Sequence, residues 1–582
     1  MGNPRARGPQ TAFATLFGAV RRSPSAALGG LVFVLALVLW GWRIQRGVDL
    51  SDEAIYIAIP MRFVLGDQPF LDDRSSFQGT GIMTMPLVFL YHRLVPSNEG
   101  VVLFMRIVFL GFLSGIGVAI QRAVRGWISA GSAMACGAIA LFFVPFYVPQ
   151  LSYNTVGGGL TLFAAFASLR VSRSKTGSEA TRHTILCGLA AAGAGLAYPP
   201  LGALFPVHLV TLLAFGRRQL GARRVVLLYL GGAAILGVYV GVFLVRAGLG
   251  SLKVTYDFQH ASGPNLTNAA AAVLAELNGL KPDWFTTMAV ALALTFVAAR
   301  VRPVVFLLAV AVPFLAAPGR DDVSHSILFW ACCALFAPLF ALLVKDRAMA
   351  FRVLATVWVP GMMAGFLTSF SSGNGGRAFG LGGFTCMMAG CILACRGCEE
   401  ALGPFRPVVP GAGMVPPLAL LYVLVARVLS PASVYRDHAP ATLDALVRTG
   451  PFRGLRTTPQ RRDFVEIMHR DVVDLARGKR FVLFMPDMNS AYLSANARPA
   501  IPEMWVMNVP ARSAIQVRIF NKRLPEIGAV IIRSCPQAND WSNCTPSLIE
   551  PHDPLHAAVN EHFVEAFRRY DYTVMRRRDP VR

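Results

Sequence analysis

The sequence predicts a polytopic α-helical membrane protein that ends in a small α/β domain. Of its 582 residues, 54% are hydrophobic and only 15% are charged, a balance too apolar for a soluble protein of this length. Apolar stretches recur from Ala26 to about Leu429, and each is long enough to cross ~30 Å of hydrocarbon as a helix. Beyond Pro431 the apolar runs shorten, and charged and turn-forming residues become frequent.

The apolar stretches predict about thirteen membrane spans. They are Ala26–Trp42, Gly100–Gln121, Ser129–Val148, Ser152–Leu169, His183–Tyr198, Pro200–Phe215, Val225–Val245, Trp284–Ala299, Pro303–Ala317, Ser324–Val344, Ala350–Ser369, Ala378–Cys395 and Val408–Leu429. Arginine clusters such as Arg122 with Arg125 and Arg170 with Arg173 lie between spans, which is typical of cytoplasmic loops. The N-terminus is therefore predicted to be cytoplasmic, and an odd number of spans places the C-terminus outside.

The first outer loop, residues 43–99 of a membrane domain at residues 1–430, is too long for a simple connector. Its second half, Gly81–Val95, is apolar but shorter than a span. That length is typical of a helix lying along the membrane surface. The loop is therefore expected to carry structure of its own.

Residues 431–582 are predicted to form a small α/β domain outside the membrane. Helical periodicity marks Arg462–Arg477 and Pro554–Arg569. Short apolar runs at Phe481–Met485, Ala529–Ile532 and Tyr572–Met575 predict strands.

The net charge of +23 does not indicate a nucleic-acid partner, because the arginines follow the membrane topology. Of the ten cysteines, eight lie in or beside apolar spans, where cysteine is usually a small core residue. Cys395 and Cys398 form a C-x-x-C pair that lacks the second pair of ligands a metal site needs. Cys535 and Cys544 are expected to form a disulfide if their region faces an oxidising compartment.

An acidic loop directly after the first span is the main functional candidate. Asp52 and Glu53 lie at a predicted membrane surface, where acids are costly and often functional. Such an acid can act as a general base for an incoming hydroxyl or amine, or can hold a divalent cation beside a phosphate leaving group. The structural alternative is that Asp52 caps a helix beginning at Glu53, with Ser51 as a further cap.

Three charged residues near this loop each have two interpretations. Asp72 and Asp73 either bind substrate or form a turn with a local ion pair to Arg74. Arg106 lies inside the second span, where an unpaired arginine is expensive. It is expected to face the protein interior and to meet either a loop carboxylate or a donor phosphate.

Several short motifs follow one another in a recognisable order. They are Asp-Glu-Ala-x-Tyr at Asp52–Tyr56, a Gly-Asp-x-Pro turn at Gly66–Pro69, a surface helix at Pro86–Tyr91, Arg106, a hairpin at Tyr198–Pro200 and an outer segment at Phe481–Pro499. Together they resemble the GT-C superfamily of membrane glycosyltransferases, which use polyprenyl-phosphate sugars. The most similar branch contains the protein O-mannosyltransferases and the lipid A aminoarabinose transferases.

The resemblance implies a GT-C fold and a set of site residues. It implies Asp52 as the catalytic base or a metal-side acid, with Glu53 beside it. The further candidates for substrate contact are Tyr56, Asp72, Asp73, Arg106, Tyr153, Asn154, Lys253, His260, Arg320 and Arg377. Tyr153 and Asn154 have the alternative of ending and starting helices, and His260 that of a solvated loop residue. The second outer loop, near Pro149–Asn154, lacks the second acid of several metal-dependent members, so a divalent cation (Mg or Mn, held by Asp52 and Glu53) is left open.

The predicted function is transfer of a sugar from a polyprenyl-phosphate donor to a lipid, glycan or protein acceptor, with inversion, at the outer face of a bacterial cytoplasmic membrane. One alternative is a transporter or flippase of a lipid-linked substrate. It is disfavoured because the spans carry almost no acids at mid-membrane depth. A second alternative is a non-catalytic component of an envelope-assembly complex.

Overall fold

The computed structural model describes residues 24–260, 327–371, 375–401, 412–430, 434–486, 488–504, 510–533 and 553–578. The predicted spans Trp284–Ala299 and Pro303–Ala317 lie outside these residues, as do Arg320, Cys535 and Cys544.

Helices form most of the described chain up to residue 429. In chain order they are α1 (Pro24–Arg43), α2 (Asp52–Val64), α3 (Gln78–Leu94), α4 (Val101–Val124), α5 (Ala130–Ile139), α6 (Tyr153–Val171), α7 (Gly177–Ala197), α8 (Leu204–Leu220), α9 (Ala222–Ala247), α10 (Gly250–His260), α11 (Ile327–Leu343), α12 (Arg347–Val353), α13 (Val359–Ser371), α14 (Gly380–Ala401) and α15 (Val415–Leu429). Within the described ranges, 6 helices are long and apolar enough to cross a membrane by length and composition.

The predicted spans that fall in the described ranges each coincide with helix, although the total of thirteen stays a prediction. The third span is the least regular, because α5 ends at Ile139 and continues through short 3-10 turns at Ala140–Phe142 and Pro145–Tyr147. The predicted surface helix is α3, which begins at Gln78 and packs against α2.

Small residues bring the helices into close contact. A Cβ atom added to Gly117 of α4 would lie 2.5 Å from the carbonyl oxygen of Gly137 in α5. Such small-residue contacts are common between membrane helices, because they let backbones approach closely. The central helix is α14, which is buried along nearly its whole length between α11, α13 and neighbouring helices.

The predicted cytoplasmic arginines gather at one end of the helices. Arg170 donates to the carbonyl oxygen of Arg122 at 2.8 Å, and Arg173 donates to that of Arg125 at 2.9 Å. Arg106 lies near the other end of α4, a helix of 24 residues and therefore about 36 Å long. The basic clusters and the acidic loop thus lie at opposite ends of the helices, as the topology predicts.

The C-terminal region contains a five-stranded mixed sheet. Its elements are β1 (Ala445–Leu446), β2 (Arg456–Thr457), α16 (Pro459–Ala476), β3 (Phe481–Met485), α17 (Asn489–Ala495), β4 (Arg498–Pro499), α18 (Pro510–Arg523), β5 (Ile527–Arg533), α19 (Pro554–His562), β6 (Phe563–Arg569) and β7 (Tyr572–Arg577). The strand order is β4-β3-β5-β7-β6, and β1 pairs separately with β2. Strand β3 is parallel to β4 and β5, whereas β5, β7 and β6 are antiparallel to one another.

The predicted helix over Pro554–Arg569 is wrong in its second half. Helix α19 ends at His562, and Phe563–Arg569 forms strand β6. Arg569 pairs with Tyr572 across a tight turn in which Tyr570 has a φ of 52°. Pairing with β7 therefore outweighs the helical preference of the local sequence, because strand formation depends strongly on tertiary context.

The C-terminal region packs directly on the first outer loop. The backbone N–H of Ser490 donates to the carbonyl oxygen of Leu50 at 2.9 Å, and that of Arg74 donates to Pro502 at 2.9 Å. The side chain of Asn98 also donates to the carbonyl oxygen of Leu493 at 3.2 Å. The two regions therefore lie on the same side of the helices, as the span count predicts.

Candidate functional site

A buried ion pair holds the acidic loop against α4. Arg106 donates through Nε to Glu53 Oε1 at 2.6 Å and through Nη2 to Glu53 Oε2 at 2.5 Å. It also donates to the carbonyl oxygens of Ile44 and Gly47, at 2.7 and 2.9 Å. Of the two partners predicted for Arg106, the structure shows the loop carboxylate. The pairing occupies both oxygens of Glu53, which leaves this residue a positioning role.

Asp49, and not Asp52, caps helix α2. Its carboxylate accepts from the backbone N–H of Ser51 at 3.1 Å and from that of Glu53 at 2.6 Å. Helix α2 begins at Asp52, and Ser51 makes no capping bond with its side chain. The predicted cap by Asp52 and Ser51 is therefore wrong, and the carboxylate of Asp52 is not used for capping.

Two residues that follow the last helix of the membrane domain contact Asp52 instead. The hydroxyl of Tyr435 donates to Asp52 Oδ2, and Arg436 Nη1 lies 3.4 Å from Asp52 Oδ1. Arg436 has a φ of 51°, a left-handed conformation that costs about 1–2 kcal/mol for such a residue. Its backbone is thus strained where it presents both side chains to Asp52, and such strain often accompanies functional sites.

A small cleft, with room for about one water molecule, lies against the acidic loop and is lined by Glu53 but not by Asp52. Its wall includes Arg43, Arg46, Asp49, Arg106, Tyr147 and Tyr435. Tyr147 also accepts a hydrogen bond of 3.1 Å from Arg427. The buried Nε atoms of Arg46 and Arg427 have no hydrogen-bond partner among the described residues. Arg46 lines the cleft, whereas Arg427 is connected to it through Tyr147.

The backbone is also strained at the opposite wall of this cleft. Phe146 and Tyr147 have φ values of 55° and 56°, two successive left-handed residues that are not glycine. The neighbouring residues Val148 and Pro149 line the cleft as well. The turn between α5 and α6 is therefore held in a costly conformation where it meets the cleft.

Aromatic side chains extend from Asp52 towards the end of α13. Tyr153 stacks on Phe77 at 4.7 Å, lies 6.0 Å from Tyr56 and meets Tyr198 edge-on at 5.1 Å, all between ring centroids. Burial is the main cause that raises the pKa of Tyr56, and the charge of Asp52 adds to it. Both Tyr56 and Tyr153 therefore lie within electrostatic range of Asp52.

Burial also raises the pKa of Asp49, to about 7, and the negative charge of Asp52 adds to the increase. Asp49 is thus the group of the loop that is expected to titrate near neutral pH.

Asp72 and Asp73 belong to a separate ion network. Arg62 donates to Asp67 at 2.8 Å and lies 3.6 Å from Asp73, which is fully buried. Asp72 accepts from Arg523 at 2.9 Å. The Arg62 pairs lie within the first outer loop, and the Asp72–Arg523 pair joins this loop to the C-terminal region. The ion partners of the two aspartates are thus Arg62 and Arg523 and not Arg74, and their binding of substrate stays a prediction.

The remaining predicted residues lie apart from Asp52 or are described only in part. Lys253 is exposed and pairs with Asp257 at 2.6 Å. His260 ends α10, and the backbone of Arg377 lies in a 3-10 turn at Gly375–Phe379. Asn154 is buried beside Tyr153 at the start of α6, where Ser152 and Thr155 form the capping box.

The side chains present do not fit a divalent cation at Asp52 and Glu53. Arg106 binds both oxygens of Glu53, and the oxygens of Asp52 face Tyr435 and Arg436. Within the part of the chain that the structure describes, three metal-ligating side chains converge only in a cysteine cluster elsewhere. The oxygens of Asp52 and Glu53 are therefore engaged by protein donors and not arranged around a cation.

Sequence reasoning missed Tyr435, Arg436, Arg46 and Arg427. Tyr435 contacts Asp52 across 383 positions of sequence, a separation at which no local pattern signals a contact. The available signal was weak: two arginines and a Tyr-Arg pair at the predicted outer ends of the first and last spans.

No protein-family model and no curated protein matches the sequence. Among solved structures, it is similar to the oligosaccharyltransferase of Archaeoglobus fulgidus tethered with an acceptor peptide, with a TM-score of 0.46 and 12% identity over 87% of this chain and 69% of that chain. It is also similar to ArnT of Cupriavidus metallidurans in the apo state, with a TM-score of 0.45 and 14% identity over 95% and 98% of the two chains. For ArnT bound to undecaprenyl phosphate the TM-score is 0.43, with 14% identity over 94% and 97%.

With identities of 12–14%, these structures do not by themselves assign the chain to a family. With TM-scores below 0.5, the similarity alone decides neither the activity nor the ligands of this chain.

Proposed function

We propose that the protein is an integral-membrane glycosyltransferase. It would transfer a sugar from a polyprenyl-phosphate donor to a lipid, glycan or protein acceptor at the outer face of a bacterial cytoplasmic membrane. The observation that carries the proposal is the carboxylate of Asp52, which no capping bond uses and whose neighbours Glu53 and Tyr435 line an arginine-rich cleft. The N-terminus would be cytoplasmic, and residues 431–582 would form an outer domain.

In this proposal Asp52 is the general base. Its carboxylate takes the proton of an acceptor hydroxyl or amine as the acceptor atom attacks the anomeric carbon. Attack occurs opposite the phosphate, so the bond from that carbon to the phosphate oxygen breaks and the configuration inverts. The hydroxyl of Tyr435 and the guanidinium of Arg436 hold the carboxylate in place.

The leaving polyprenyl phosphate carries negative charge that basic residues must stabilise. The buried, unused Nε donors of Arg46 and Arg427 support this role. Such preorganised donors stabilise developing charge at little reorganisation cost. Arg106 is not assigned to the phosphate, because Glu53 and backbone carbonyls use its donors.

The test is transfer of labelled sugar from synthetic polyprenyl-phosphate donors by wild type, Asp52→Asn and the control Asp444→Asn. Asp444 is exposed and lies in the C-terminal region. Wild type and Asp444→Asn are expected to transfer sugar, and Asp52→Asn to be slower by about 10²–10⁴-fold, the contribution typical of general-base catalysis. Equal transfer by wild type and Asp52→Asn would show that Asp52 is not the base. Absence of transfer with every donor, together with movement of lipid-linked substrate across vesicle membranes, would replace the proposal by a transporter.

A further inference from the structure

We propose that three buried cysteines at the other end of the helices form a binding site for Cu(I). Cys136 of α5 places its Sγ atom 3.9 Å from that of Cys391 and 4.0 Å from that of Cys395, both in α14. All three Sγ atoms lie within 4.8 Å of one another, and all three side chains are buried. The site is independent of the proposed glycosyl transfer.

The spacing of the sulfur atoms fits three-coordinate binding. A metal–thiolate bond is about 2.3 Å long, so three sulfurs around an ion in a trigonal plane lie about 4.0 Å apart. The separations of 3.9 and 4.0 Å match this value, and the third separation is at most 4.8 Å. A disulfide would require about 2.05 Å, so the three cysteines are free thiols in contact with one another.

The ligand set selects a soft ion of low charge. Sulfur ligands favour Cu(I) or Zn²⁺ among the common metals, but structural zinc takes four ligands. The described residues supply three to this cluster. A buried site also favours a small net charge, and Cu(I) bound by two thiolates and one thiol leaves a single negative charge. Each new copper–thiolate bond replaces an S–H bond and releases a proton to solvent.

Polar groups connect the cluster with the predicted cytoplasmic face. Ser132 precedes Cys136 by one helical turn, and Glu399 follows Cys395 by one turn, a distance of about 6 Å. Glu399 Oε1 accepts from Ser132 Oγ at 3.2 Å. This end also carries Arg122 and Arg125, and a cytoplasmic compartment keeps thiols reduced. A hydrogen-bonded pair of polar groups thus lies between the cluster and the side on which the thiols are expected to stay free.

The C-x-x-C pair of the sequence supplies only one of the three clustered cysteines. Cys395 and Cys398 form the C-x-x-C pair, but Cys391 and Cys395 share one face of α14 because residues four apart on a helix are neighbours. Cys136 then joins them from a different helix. The site exists only when α5 packs against α14.

The proposal is tested with purified full-length protein under anaerobic conditions, using Cu(I) in the presence of a competing chelator. Bound copper per chain and near-ultraviolet thiolate-to-copper absorption are measured for wild type, Cys136→Ser, Cys395→Ser and Cys386→Ser. Cys386 is the matched control, because it is buried in α14 and its Sγ contacts the carbonyl oxygen of Trp358 at 3.5 Å. Thermal unfolding of each variant without copper shows whether the fold is retained.

Wild type and Cys386→Ser are expected to hold one ion per chain, with an affinity that rises with pH. Cys136→Ser and Cys395→Ser are expected to bind at least about tenfold more weakly, since loss of even an outer hydrogen-bond partner of a metal ligand costs that much. They are also expected to lose the absorption band. If wild type binds copper no more tightly than Cys136→Ser, the cysteines are packing residues and the proposal is wrong. If both cluster variants melt far below Cys386→Ser, the absorption band of wild type, present or absent, decides the question.

Discussion

Replacement of Arg106 by methionine tests whether one buried ion pair holds the acidic loop. Arg106 and Glu53 side chains are each 2% exposed, so the substitution leaves a carboxylate buried without its partner. Breaking such a pair costs about 3–5 kcal/mol. The carbonyl oxygens of Ile44 and Gly47 also lose their donors. At about 1.4 kcal/mol per factor of ten, local opening of residues 44–53 should increase by about 10²–10⁴-fold.

Hydrogen exchange measured by mass spectrometry on peptides covering residues 44–53 reports this opening directly. The control is Arg122→Met, an exposed arginine near the other end of α4, which should leave exchange in these peptides unchanged. The double variant Glu53→Gln with Arg106→Met should regain part of the protection, because the unpaired charge is removed. Exchange in Arg106→Met that stays at the wild-type rate would refute the view that this pair positions the loop.

Three further predictions concern the surroundings of the loop. Tyr435→Phe removes the hydroxyl that donates to Asp52. A hydrogen bond to a charged group contributes about 1.5–3 kcal/mol, so the rate of sugar transfer at saturating donor should fall about 10–100-fold. Hydrogen exchange of residues 44–53 should stay unchanged. Asp49 has a raised pKa of about 7, so the folded protein binds this proton more tightly than the unfolded chain, and stability should fall as pH rises from about 4 to about 7. Asp49→Asn should remove that part of the slope in unfolding curves recorded in mixed micelles, whereas an unchanged slope would contradict the assignment. Arg62→Met leaves Asp67 buried and without its main partner, and should lower the free energy of unfolding by about 3–5 kcal/mol, with Arg122→Met as the exposed control.

The sequence was sufficient for the apolar helices of the described ranges and insufficient for the contacts between them. A long apolar stretch such as Val225–Val245 must be helical in a membrane, because only a helix satisfies its own backbone groups there. Strand β3 was predicted at its observed bounds, Phe481–Met485, because it is short, apolar and buried. Phe563–Arg569 was not, because five of its seven residues are exposed and its strand conformation comes from pairing with β7.

The candidate site shows the same limit more sharply. That an acid would follow the first span was evident from Asp52 and Glu53 alone. Which of the two acids forms a structural ion pair depends on Arg106, in the next span. Which acid caps the helix depends on Asp49, a residue that the motif does not include. The family resemblance named Asp52 as the base, but the motif residues do not show which acid forms a structural ion pair, since that depends on partners that only the fold supplies.

Asp52 has partners on the far side of the predicted domain boundary near residue 430. Tyr435 and Arg436 lie beyond it, and the next residue, Asp437, accepts from the backbone N–H of Val48 at 2.8 Å. The same carboxylate accepts from Thr457 at 2.7 Å, which fixes the segment to the C-terminal region as well. The carboxylate of Asp52 therefore acquires its hydrogen-bond and charge partners only when the chain beyond the last helix has docked on the loop. A membrane domain alone would carry the acid without the residues that position it.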